Sequence, residues 1–238
     1  MEAPANSDDQ VGVRFPEQGQ LRVEGITFNL GGELIDPGRI TVRTEVWPHW
    51  LTIAGEELAA AGSARESNPG RDSSLESDLA ILREYRKAMM SICTTAFTLE
   101  AFTNAVESRC PKFETRNRSR QANLGYRRQS ASARCHQVWT HAFCMSNTNS
   151  AATKTTLNQI FALRNEAVHP PAKFFEPVMH QAFRMGFERR FAIYTVENAE
   201  AAYKTSVDAL IHLLERPRGD NANWLEWCAI MLQRPELA

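Results

Sequence analysis

Apolar and polar positions follow two different rhythms along this chain. Up to about residue 51 the apolar residues form short extended pieces, 11–15, 21–30 and 40–46, rich in β-branched side chains. Gly19, Gly25, Gly31-Gly32 and Pro37-Gly38 interrupt them. The run Ile40-Thr-Val-Arg-Thr-Glu-Val has a period of two, as a half-buried strand requires. A short helix is expected over 56–61. Residues 62–74, with Asn68-Pro69-Gly70, read as a linker. The pattern predicts a small β-rich N-terminal region over 1–72, disordered over its first ten residues, and a helical domain over 73–238.

From Leu75 the period lengthens. Between Leu75 and Glu107 there is neither proline nor glycine; Leu75, Leu79, Leu82, Met89, Cys93 and Ala96 share one stripe, which Glu100 continues. Phe97 and Phe102 lie off that stripe, so the second half is apolar nearly all round and suits a central or interfacial helix. Pro111 ends it. Residues 112–132 have no convincing period, 133–145 predict a helix with Val138, Trp139, Ala142 and Phe143, and 146–151 read as a polar loop. Residues 157–169 predict the next helix, and 170–194 are mixed. Two more helices follow, 197–215 with Thr195 as N-cap and 221–233 with Trp224, Trp227 and Met231. The expected fold is mainly α, a bundle of four to five helices behind the β-rich region.

Composition changes this picture little. Hydrophobic residues at 43% and charged residues at 23% describe a globular chain, and a net charge of −1 exerts no global pull on nucleic acid or membrane. No apolar run approaches the roughly 20 residues of a membrane helix, and the acidic N-terminus lacks the features of a signal peptide. Five cysteines at unpatterned spacings fit reduced thiols, so a cytoplasmic location is expected. The distribution of charge says more. Residues 1–72 hold 12 acidic and 6 basic groups, whereas 109–134 hold eight basic groups against Glu114 alone. Arg116, Arg118, Arg120, Arg127 and Arg128 in that basic segment could grip an RNA backbone, with Tyr126 available to stack on a base. A solvated loop, or one docked on the acidic N-terminal region, is the other reading.

The candidate chemistry gathers in Leu157-Asn-Gln-Ile-Phe-Ala-Leu-Arg-Asn-Glu-Ala-Val-His169. Leu157, Ile160, Phe161, Ala167 and Val168 share a face, and Arg164 falls in the middle of it, where an unpaired charge would be too costly. Asn165 and His169 lie about 40° apart on the flank. Pro170 disfavours α conformation at His169, placing the imidazole at the helix C-terminus, where the dipole favours imidazolium. Glu100 is an acid in one apolar stripe and Arg164 a base in another, so the two would neutralise each other if their helices pack face to face. Such a pair serves either as a structural lock or as part of a site. Cys135, His136, His141 and Cys144 invite a zinc reading, but on one helix only His141 and Cys144 face the same way, so no metal is expected there. His180 and His212 have no partner pattern, and Trp47, Trp50, Trp224 and Trp227 suit a core.

Arg164-Asn165-Glu166-Ala167-Val168-His169 resembles the arginine–polar–histidine signature of the HEPN superfamily. Residues 96–104, Ala-Phe-Thr-Leu-Glu-Ala-Phe-Thr-Asn, resemble the acid-bearing second-helix stretch of many such proteins. The likeness covers about 75–215. It implies a helical bundle that dimerises, with two arginine–histidine helices meeting across a cleft. It also implies a metal-independent endoribonuclease without a cofactor, in a toxin–antitoxin, phage-defence or RNA-processing setting, with RNA as substrate and an antitoxin or regulatory protein as possible partner. By that likeness Arg164 holds the scissile phosphate, Asn165 orients its neighbours, His169 is the general acid or base and Glu100 completes the site. Pro171 stands where some members carry a tyrosine that is modified. Non-catalytic members keep parts of the pattern, so an RNA- or protein-binding module with a structural Glu100–Arg164 pair is the alternative reading.

Overall fold

The computed structural model describes residues 20–24, 27–28, 34–36, 39–67, 75–110, 130–170, 172, 174–180 and 185–237. The chain divides into two compact units, 1–45 and 46–238. In the first, β1 (Gln20–Glu24) pairs antiparallel with β4 (Arg39–Arg43), with Leu21 opposite Val42 and Val23 opposite Ile40. Likewise β2 (Thr27–Phe28) pairs with β3 (Leu34–Asp36).

The second unit is mainly helical: α1 (Trp47–Glu66), α2 (Leu75–Glu107), α3 (Ala131–Ala142), α4 (Asn147–Val168), α5 (Arg189–Ile193), α6 (Val196–Leu214) and α7 (Ala222–Leu232). A hairpin of β5 (Val178–His180) and β6 (Met185–Phe187) precedes α5. Helix α2 is central and packs against α1, α3, α4, α5 and α6. On it Phe102 is fully buried among Trp47, Trp139, Phe143 and Trp227, whose ring centroids lie 5.5–6.1 Å away. Trp224 is also buried, so three of the four tryptophans expected in the core are there.

Three expectations change. The helix expected over 56–61 runs from 47 to 66 and buries Trp47, Leu51, Ala54 and Ala61 against the bundle, so the helical unit starts at Val46 and not near 72. The polar run 146–151 is no loop. Ser146 accepts a hydrogen bond from Asn149 N at 3.2 Å and starts α4 one residue later, three turns before its apolar face begins.

The third change concerns the first half of α2. Leu75 and Leu79 are exposed, while Ser77, Ala80, Glu84, Ala88 and Ser91 on the opposite side are buried. Small residues win that side because they allow α1 to come close: Ser91 Oγ donates to the Ala54 carbonyl at 2.9 Å. Gly55 marks a second close approach of α1, to α6, since a Cβ there would stand 3.2 Å from the Tyr203 hydroxyl.

Helix α6 starts where expected. Thr195 Oγ1 accepts from Asn198 N at 3.4 Å. Thr195→Ala removes this cap and lowers unfolding free energy by about 1 kcal/mol, measurable as a lower urea midpoint at unchanged slope.

Candidate functional site

Arg164 and Glu100 meet. Helix α4 crosses α2 so that Arg164 Nη2 lies 2.9 Å from Glu100 Oε1, with the two side chains 17% and 31% exposed. The guanidinium sits between two rings, 5.4 Å from the centroid of Phe161 on its own helix and 5.9 Å from that of Phe97 on α2. Its Nη1 donates to Asn165 Oδ1 at 3.0 Å, and its buried Nε has no hydrogen-bond partner among the described residues. Such a charge is held by one carboxylate, one amide and two ring faces. The cation also opposes the effect of burial on Cys93, whose thiol is nevertheless pushed up from its ordinary value.

His169 lies one turn beyond Asn165. Its N–H donates to the Asn165 carbonyl at 2.8 Å, its backbone has left the helical region, and its side chain is exposed, as Pro170 demands. Leu157, Ile160 and Phe161 are buried as expected, but Val168, in the last turn of the helix, is 51% exposed. Tyr194 anchors this end from below, its hydroxyl donating to the Leu163 carbonyl at 2.7 Å, and burial raises its pKa above the ordinary tyrosine value. Glu166, also in this turn, forms an ion pair with Arg189 of α5.

Arg116, Arg118, Arg120, Arg127, Arg128 and Tyr126 lie outside the described residues. The basic residues flanking them are engaged: Arg109 stacks over Trp227 at 5.1 Å and Arg134 pairs with Glu107 and Asn104. The cysteines and histidines of α3 and its end point to separate partners. Burial pushes the Cys135 thiol up to about 11, His136 Nε2 lies 2.9 Å from Ser150 Oγ, and Cys144 is exposed. Among the described residues no group of three or more His, Cys, Asp or Glu side chains is arranged to hold a metal ion. No helix among them is long and apolar enough to cross a membrane.

A second charged cluster has no counterpart in the sequence pattern. Arg65 at the end of α1 forms an ion pair with Glu84 of α2, through Nε to Oε2 at 2.6 Å and through Nη2. It also holds Glu197 of α6, Nη1 to Oε1 at 2.9 Å. Glu84 is 2% exposed, and its Oε1 also accepts from Val196 N, the first N–H of α6, at 3.3 Å. The Glu84 hydrogen bond, outweighing burial, holds the Arg65 guanidinium more firmly protonated than usual. Burial would raise the Glu197 carboxyl, but its own backbone N–H, Thr195 and Arg65 together bring it below the ordinary carboxylate value. The cluster ties α1, α2 and α6 together. Only a signal spanning 132 residues would have disclosed it.

His180 in β5 lies within the field of these charges, buried, its ring edge-on to Phe187 at 5.5 Å. Burial lowers its pKa below the ordinary 6.5, and Arg65 adds to the effect against Glu84 and Glu197. The unfolded chain therefore binds this proton at a higher pH than the folded one, so acidification favours unfolding. The contribution is complete above pH 6.5 and is lost as the pH falls below it. Urea midpoints should decline on going from pH 7 to 5.5, and His180→Phe should flatten that slope.

No protein-family model, curated protein or solved structure matches this chain. Chemically, the α4 terminus combines a cation able to bind phosphate, an amide that orients it, and an exposed imidazole one turn away.

Proposed function

We propose that the helical unit is a HEPN-like domain acting as a metal-independent endoribonuclease, with the α4 terminus as its site. The observation that carries this reading is the Glu100–Arg164 pair, which places a guanidinium on the helix that ends in exposed His169. RNA carries its own nucleophile. Attack of the 2′-oxygen on the adjacent phosphorus breaks the bond to the 5′-oxygen and leaves a 2′,3′-cyclic phosphate. One proton leaves the 2′-OH and one must reach the departing 5′-oxygen. A neutral imidazole accepts the first and an imidazolium supplies the second, so two copies of His169 in a homodimer complete the reaction. Arg164 would bind the phosphate oxygens as charge develops, Asn165 would hold its orientation, and the arginines of 116–128 would bind the flanking backbone.

An apolar strip supports the homodimer. Phe97 shares the side of Leu79 rather than lying off its stripe: Leu79, Met90 and Phe97 fall within about 20° of one another on α2; Leu79 and Met90 are exposed, and Phe97 is the ring against Arg164. A second copy seated there would bring two α4 termini together. The test is cleavage of RNA by purified protein in EDTA, compared with Arg164→Ala and His169→Ala. Cleavage by the wild type alone is expected; equal degradation by all three overturns the proposal.

The closure of Arg164 within one subunit favours a second reading, a non-catalytic RNA- or protein-binding module in which the pair fixes the register of α4 on α2. Retained RNA binding without cleavage, with a lower melting temperature for Arg164→Ala, would select it.

A further inference from the structure

A cavity of about 300 Å³ opens between α3, α4 and α6, on the half of α4 remote from His169. Its lining includes Leu99, Trp139, Leu157, Ile160 and Leu213, each at most 3% exposed. Its volume is at the lower end of the range for small-molecule sites, and its balance of an apolar wall with a few polar groups is the usual one. Trp139 Nε1 is already satisfied by Thr103 Oγ1 at 3.0 Å, so the indole offers the cavity only its apolar surface.

The polar groups converge from two helices. Thr153 and Thr156 come from α4, and Thr205, Asp208 and His212 from α6. His212 Nε2 accepts from Asn149 Nδ2 at 3.1 Å and from Arg216 Nη1 at 3.2 Å, so the proton of a neutral ring belongs on Nδ1. Arg216 reaches the ring from outside the lining. Asp208, exposed at the rim one turn before His212 on α6, is the one carboxylate in the lining and has no ion pair among the described residues; Lys204 feels its charge but pairs with Glu200. A larger hollow of about 510 Å³ shares Thr156, Ile160 and Thr205 and continues along the same two helices, but its charged groups, Glu166 and Arg189, are paired with each other. Among the residues lining the two hollows, the charge without an ion pair is therefore Asp208.

We propose that this cavity binds a small cationic amine with an apolar, ring-sized body, the body seated against Trp139 and Leu213 and the ammonium at Asp208. An anion would meet the Asp208 carboxylate, and a neutral molecule would forgo the charge-assisted hydrogen bond that the carboxylate offers. From Ile160 at the cavity to His169 is about 14 Å along α4, so the site is separate from the one proposed for RNA and stands whether or not RNA is cleaved.

The test is isothermal titration of the full chain with three probes of one shape: tryptamine as the cation, tryptophol as the neutral molecule and indole-3-acetate as the anion. Tryptamine should bind one per chain, at least tenfold more tightly than tryptophol, with indole-3-acetate weakest. Asp208→Asn should remove the tryptamine advantage, and Ala152→Trp, which adds a ring to the lining from an exposed helical position, should abolish binding. Circular dichroism of both variants should match the wild type. Absence of tryptamine binding at millimolar concentration, equal affinity for the three probes, or binding unchanged in either folded variant would overturn the proposal.

Discussion

Arg65→Ala should cost about 3–5 kcal/mol of folding stability, the largest effect expected of any surface-reaching charge in the helical unit. Arg65 itself is partly exposed and loses little by its own removal. The cost falls on Glu84, whose side chain is 3% exposed. Without Arg65 its carboxylate keeps, among the described residues, only the Val196 N–H at 3.3 Å, which is far less than hydration in the unfolded chain. For a unit of this size such a loss lowers the melting temperature by roughly 6–20 °C. The companion double variant Arg65→Met with Glu84→Leu should recover most of the deficit, because replacing both charges leaves nothing uncompensated. Urea denaturation of Arg65→Met, Glu84→Leu and the double variant measures the coupling; an additive result would show that the pair contributes nothing as a pair.

On the proposed endoribonuclease reading, His169→Ala should lower the rate of RNA cleavage by about two to four orders of magnitude, the usual contribution of a positioned acid or base, while leaving the melting temperature unchanged. The side chain is exposed and the helix keeps its backbone hydrogen bond to Asn165. Arg164→Ala differs in kind. It removes the partner of half-buried Glu100 and the cation between Phe97 and Phe161, so it should lower stability by about 1–3 kcal/mol as well as activity. The contrast separates the two functional readings. Loss of cleavage in His169→Ala at full stability belongs to a catalytic site, whereas a stability loss in Arg164→Ala with no cleavage by the wild type belongs to a structural lock. Cleavage rates and melting curves on the same preparations decide between them.

Much of the α2–α4 contact is legible in the sequence. Glu100 and Arg164 are each a charge embedded in an apolar stripe, and burying either alone is so costly that each required a partner; the other was the available one. Pro170 set the position of His169 by a local steric rule. The same kind of reasoning failed on the first half of α2. Leucine spacing marked a stripe at Leu75 and Leu79, but the buried side carries Ser77, Ala80, Ala88 and Ser91, with Ser91 bonded to Ala54 of α1, because close approach of two helix backbones favours small side chains over large ones. The start of α4 was hidden for a related reason: its first turns are polar because they are exposed, and only the Ser146 cap marks where they begin.

The sequence by itself determined the periods, and with them the mainly helical character of the second unit and the ends of α6 and α7. It determined that Arg164 could not stand alone and that His169 would end a helix. Tertiary structure alone decided which side of α2 faces α1, that Arg65 reaches Glu84 and Glu197, and that Trp139, Asp208 and His212 border one cavity. The physical reason is range. Helical period, capping and proline sterics act over a few residues and can be read along the chain. Ion pairs and cavities join residues from separate helices, and they exist only where packing has set how closely those helices approach.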